Sequence, residues 1–119
     1  MNPMLKLFSI LSLLAFTQTA FACDYPARID IPNGHTATKE DMLTGQRSVK
    51  KFVATLEEYL DCIVAEEKLA RSEIDGLEAE DEQLREDLLN KKYNAAVDEM
   101  EKVAAEFNMA VQTYRRRDD

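Results

Sequence analysis

The 119-residue chain carries 23 acidic residues against 15 basic ones, a formal net charge of −8, and a single histidine. That balance disfavours nucleic acid and anionic lipid headgroups, both of which it would repel. Two cysteines and three glycines leave little material for a Cys/His metal centre or a glycine-rich phosphate loop.

The chain opens with Lys6 as a weak positive region, then an apolar run from Leu7 to Phe16 interrupted only by Ser9 and Ser12. Ala20-Phe21-Ala22 follows, with small residues at the two positions that signal peptidase admits. The apolar run is about half the ~20 residues that a membrane-spanning helix needs. The sequence predicts a secretory signal peptide over 1–22 and a mature chain that starts at Cys23. Its expected location is exported, in the periplasm. Removal of those residues takes away Lys6 as the only charge, so the net charge moves from −8 to −9 over 97 residues. A chain of that length makes one domain, near the lower end of what supports its own core.

Residues 23–37 contain Pro26, Pro32, Asn33 and Gly34, which predicts an extended or turning arm. Ile29 and Ile31 alternate with Arg28 and Asp30, as in an extended segment laid on an apolar surface. Thr38 with Asp41 three places later is a variant capping box that opens a helix. Glu40 and Asp41 suit the positive end of its dipole.

From there the apolar spacing alternates between three and four. Val49, Val53, Leu56, Leu60, Ile63, Ala70, Ile74, Leu77, Leu84 and Leu88 form one series, with Glu67 and Asp81 as polar interruptions and Phe52 and Tyr59 on its flanks. A second series, shifted in phase, runs Tyr93, Val97, Met100, Ala104, Phe107, Val111, Tyr114. Such spacing marks helices packed along a shared seam, as in a coiled coil. Gly76, the only glycine after Gly45, suits a helix end. A break there gives arms of matched length, as an antiparallel hairpin requires. One continuous helix is the rival, because an isolated glycine costs a helix only about 1 kcal/mol. The expected fold is all-α: a long antiparallel helical hairpin over 38–117. It has a helix over about 39–74, a turn within 72–80, a helix over about 79–115, and an extended arm pinned by one disulfide.

The cysteine count carries that last expectation. An even number in an exported chain reads as a bridge, here Cys23 to Cys62. From residue 39 to 62 is roughly 35 Å of helix, and the arm spans up to about 50 Å when extended. The arm therefore reaches Cys62 by folding back along the first helix. A cysteine directly after Ala22 is also where a bacterial lipoprotein carries its lipid, so lipidation of Cys23 is the alternative, and only then would the chain touch a membrane. Ala20 stands where a lipobox prefers leucine.

Several segments resemble a family of small uncharacterised exported proteobacterial proteins. They are Cys23-Asp24-Tyr25-Pro26, Ile31-Pro32-Asn33-Gly34, Ala37-Thr38, Met42, Tyr59-Leu60-Asp61-Cys62, Tyr93 to Val97, Asp98 to Met100 and Phe107-Asn108. The Cys-x-x-Pro to Tyr-x-x-Cys framework is the most specific part. The resemblance implies paired cysteines and a helical body, and no activity. It weighs slightly against lipidation.

The chemistry of catalysis is missing. His35 lies in the arm beside Gly34, the helices carry no Glu-x-x-His pair, and no G-x-S-x-G or H-E-x-x-H occurs. The sequence therefore predicts no enzyme, no cofactor and no metal. Residues 73–87 hold eight acidic side chains and Arg85 as their one basic neighbour, expected as a solvated tip. Arg115, Arg116 and Arg117 suit the negative end of the last helix. Tyr93, Asn94, Phe107 and Asn108 form a candidate interaction face. The function expected is a non-catalytic protein-binding or structural module of the periplasm, with an unknown protein partner or self-association. A chaperone-like or inhibitor-like hairpin is a further alternative.

Overall fold

A computed structural model describes residues 23–117. The expected signal peptide over 1–22 lies outside the described residues. Two helices, α1 (Lys39–Ser72) and α2 (Ala79–Arg116), pack side by side as an antiparallel hairpin, with no strand among the described residues. The continuous helix is excluded by six intervening residues, which fall inside the 72–80 window.

Local chemistry sets each helix end. The Thr38 hydroxyl accepts from the Asp41 amide at 3.1 Å, and the Asp41 carboxylate accepts from the Thr38 amide at 2.9 Å. That reciprocal pair satisfies donors that a first turn leaves unpaired. It also holds the Asp41 carboxyl below its usual value, chiefly through the backbone hydrogen bond from Thr38. α1 ends without using Gly76. Glu73 caps it in right-handed conformation, its amide directed at the Ala70 and Arg71 carbonyls. Gly76 comes three residues later with φ +67° and open space around it. It supplies the left-handed step of the interhelix turn, where any Cβ would be strained. α2 has no side-chain cap, but Glu80, Asp81 and Glu82 crowd its first turn and offset the dipole.

The arm runs back along the hairpin and seats between both helices, not along α1 alone. A turn at Asn33 reverses it. The Asn33 carbonyl accepts from the Thr36 and Ala37 amides at 3.1 and 2.8 Å, and the Asn33 side chain accepts from the His35 amide at 2.9 Å. His35 is thus an exposed turn residue. Pro32 and Phe107 both close on Gly45, where an added Cβ would lie 2.7 Å from the proline ring and 3.1 Å from the phenylalanine ring. Gly34 rests against α2 in the same way, at the Ala110 carbonyl and the Thr113 side chain. Further along, Arg28 pairs with Glu99 at 3.0 Å and Glu106 at 2.7 Å on α2. Tyr25 packs edge-on against Tyr59 of α1, ring centres 5.0 Å apart. Ile29 and Ile31 pack against the core while Arg28 and Asp30 stay exposed, so the alternation serves the surface it was expected to serve.

The core lies entirely in the half of the hairpin that the arm covers. Its buried residues run from Met42 to Ile63 on α1 and from Ala96 to Ala110 on α2, with Leu56, Ala96 and Val103 fully enclosed. Beyond Ile63 the same stripe is wet: Ile74 is exposed, and Leu84 and Leu88 keep 57% and 52% of their surface. A two-helix seam has only one covered side, and no third element reaches past the bridge. On α2 the phase also differs from expectation. The buried row is Ala96, Val103, Phe107 and Ala110, whereas Val97, Ala104 and Val111 are only partly covered. Both rows are apolar in sequence. Packing selects the one whose small alanines let α1 and the arm approach together.

Gly45→Ala tests the seat of the arm. At an unobstructed helical site this change would stabilise the fold by about 1 kcal/mol. Here overpacking against Pro32, of about 1–3 kcal/mol, should leave a net loss in urea unfolding. A gain in stability would show that the arm does not bear on this helix.

Candidate interaction face

The side chains of α2 divide into two flanks around the buried row. At about 100° of rotation per residue, positions one after Ala96, Val103 and Ala110 turn to one flank. Positions three after them turn to the other. The second flank is Glu99, Glu106 and Thr113, and each of these meets the arm, through Arg28 or Gly34. The first flank is Val97, Ala104 and Val111, and it faces away from the arm. On α1, Tyr59 and Cys62 mark the arm side, while Val64, one residue past buried Ile63, is 43% exposed on the other. One groove of the hairpin is therefore filled by the arm. Among the described residues nothing fills the opposite groove.

The four residues expected as an interaction face are split by this geometry. Phe107 is 9% exposed and belongs to the core, under Gly45 and Pro32. It is not surface. Tyr93 is 39% exposed, and Asn94 and Asn108 are exposed. Tyr93 lies four residues before Val97 and so joins the open flank. Val97 and Val111 pack against the edge of the core, as their seam spacing predicts, and with Ala104 they keep part of their surface on this flank.

Cys23 and Cys62 form a disulfide with S–S 2.02 Å and Cα–Cα 5.7 Å, closing a separation of 39 residues. The framework Cys-x-x-Pro to Tyr-x-x-Cys thereby acquires a geometric meaning. The sulfurs join, and Tyr25 packs edge-on against Tyr59, about one helical turn before Cys62. The Glu66 carboxylate lies 3.1 Å from the Cys23 sulfur. A bridged sulfur has no proton to donate, so this is a contact and not a hydrogen bond. Cys23, Cys62 and Glu66 cluster within 4.8 Å, but metal ligation needs thiolates, which the bridge removes.

Past the bridge, one polar network stands where the apolar seam fails. Glu67, an interruption of the first series, accepts from Arg85 at 2.9 and 3.2 Å and from Arg71 at 3.1 Å. Arg71 also reaches Glu82. The one basic residue of the acidic tip is thus engaged with α1 and not with its acidic neighbours. Ile63, Leu88, Leu89 and Lys92 complete a small cavity of about 140 Å³ beside this network. Glu67 and Arg85 on its wall are paired with each other, and Glu66 also lines it. At the other end Arg117 lies over the Tyr114 ring at 4.4 Å and donates to the Gly34 carbonyl at 3.3 Å.

No family model, curated protein or solved structure matches the chain. The bridge itself belongs to an oxidising, non-cytosolic location. No helix among the described residues is long and apolar enough to cross a membrane.

Two measurements check the architecture of the face. Replacing both cysteines by serine should lower stability by about 4 kcal/mol in the chain-entropy account and make the arm the first site of limited proteolysis. An arm that stays protected would mean the bridge is dispensable. A double-mutant cycle of Glu67→Ala and Arg85→Ala should give a coupling of about 0.5–1 kcal/mol, typical of a partly exposed pair. Strictly additive losses would remove the network as a link between the helices.

Proposed function

We propose that the protein is an exported, non-catalytic module of the periplasm that binds a protein partner through the open flank of α2. The observation that carries this reading is the contrast between the two grooves. One is closed by the arm, an arginine with two carboxylates and a covalent bridge. The other presents the partly buried edges of Val97, Ala104 and Val111 beside exposed Tyr93 and Val64. A helical partner laid along such a stripe would find anchors at alternating three and four residues. The resemblance to small exported proteins with paired cysteines agrees with the location. So does the bridge, which occupies the Cys23 sulfur that a lipid thioether would need.

The wet half of the hairpin supports a second reading. Leu69, Leu84 and Leu88 are each more than half exposed on a prong with no third element, as a chaperone-like client surface would require.

A photo-crosslinker placed in turn at Val97, Ala104, Asp98, Leu84 and Leu88 separates these readings in living cells. Adducts from the first two positions and none from Asp98, on the outer surface of α2, are expected. Adducts only from Leu84 or Leu88 would favour the prong. Adducts from none of them would sink the binding role. Mass spectrometry of the exported N-terminus should show an unlipidated Cys23 bridged to Cys62, and a diacylglyceryl mass would overturn that assignment.

A further inference from the structure

The open flank of α2 has an order that a general binding surface does not need. Taken at alternating steps of four and three, its outward residues are Glu86, Asn90, Tyr93, Val97, then Met100 and Glu101 side by side, then Ala104, Asn108, Val111, Arg115. Every one is exposed or only partly buried. Three of the five pairings of this row with its own reverse are complementary. Turned end for end about the Met100–Glu101 step, it sets Glu86 against Arg115, Tyr93 against Asn108, and Val97 against Ala104, while Asn90 meets Val111 and Met100 meets Glu101. An acid meets a base, a phenol meets an amide, and a larger apolar side chain meets a small one.

The charges around the row point the same way. Residues 73–87 at the turn hold eight acidic side chains and one basic, and that one, Arg85, is engaged with Glu67. At the opposite end, 39–51 and 109–117 together hold seven basic residues and two acidic ones, and the sequence continues into Asp118 and Asp119. Two hairpins laid in parallel would place acidic tip on acidic tip. Laid antiparallel, each tip lies beside the other copy's basic end.

We infer that the occupant of the open flank is a second copy of this chain, associated through an antiparallel α2–α2 seam centred at Met100–Glu101. The inference rests on the open flank proposed above as the binding surface. Such a contact is isologous, so every pairing occurs twice and the assembly closes as a dimer. Small residues at its centre, Ala104 against Val97, allow the helices to approach closely. Asn108 against Tyr93 and the charged ends favour a single register. The seam covers Tyr93, Val97 and Val111, whereas Leu84 and Leu88 turn to the opposite flank and stay outside it.

Charge exchange on the exported, disulfide-bonded protein tests this. Glu86 and Arg115 are 29 residues apart on one helix, roughly 44 Å, so they cannot couple within one chain. Sedimentation equilibrium should show a dimer whose dissociation constant rises with salt, as expected for screened exposed pairs. Glu86→Arg alone and Arg115→Glu alone should each weaken it about tenfold, since each replaces two attractive contacts by two repulsive ones. The double variant should restore it. The four proteins should keep the same helical content, and the single variants should melt lower only at concentrations where the parent is a dimer, since association itself stabilises. A monomer at several hundred micromolar would overturn the inference. So would a dimer indifferent to the single exchanges, or one that the double exchange fails to restore. A monomer whose Val97 still crosslinks to another protein would remove the self-association and leave the binding role standing.

Discussion

The groove between two long helices has two sides, and the Cys23–Cys62 bridge decides which one is closed. A hairpin of two amphipathic helices cannot enclose its own seam, because each helix presents an apolar arc wider than one neighbour covers. The fifteen residues before α1 supply the missing surface, but an arm of that length is a weak element by itself. It forms one turn and contributes few backbone hydrogen bonds. The bridge removes much of its freedom in the unfolded chain, and the contacts between its ends then need only choose a path. Arg28 with two carboxylates contributes little energy at such exposure. It fixes the arm over α2 as the sulfurs fix it over α1.

The rest of the molecule follows from that closure. The core ends at Ile63 and Ala96 because the arm ends at Cys62. Beyond that level the hairpin changes chemistry. A Glu67–Arg85–Arg71 network takes the place of leucine packing, and the leucines that remain face solvent. Partly exposed ion pairs hold two helices in register without a core, since their geometry is satisfied at one alignment only. The acidic tip beyond them is then free to serve solubility and orientation.

Closure of one groove also gives the other its character. With the arm on the flank of Glu99, Glu106 and Thr113, α2 rotates its alanines inward and leaves Val97, Ala104 and Val111 partly buried. An apolar stripe beside a rigid, bridged body is preorganised, so a helix that lies on it need not order the surface first.

By itself the sequence determined the elements and their ends. Thr38 with Asp41, the three–four spacing and the single Gly76 placed two helices and a turn, because these are local hydrogen-bonding and backbone matters. Pro26 and Pro32 marked the arm, and the length of chain available brought Cys23 within reach of Cys62. The same reading put Phe107 on an interaction face that the fold buries, and its second seam holds Phe107 in the core with Val97 and Val111 at the edge of it. Both rows of α2 are apolar, and a one-residue rotation separates them, so periodicity could not rank them. Gly45 and Gly34 carried the missing information, being the two places where the arm needs room. Which groove they serve is visible only once Pro32 lies on one and Ala110 under the other. Tertiary packing chose the buried row, and with it the open flank, because an arm of fifteen residues tied at Cys62 covers one side of a hairpin and one half of its length.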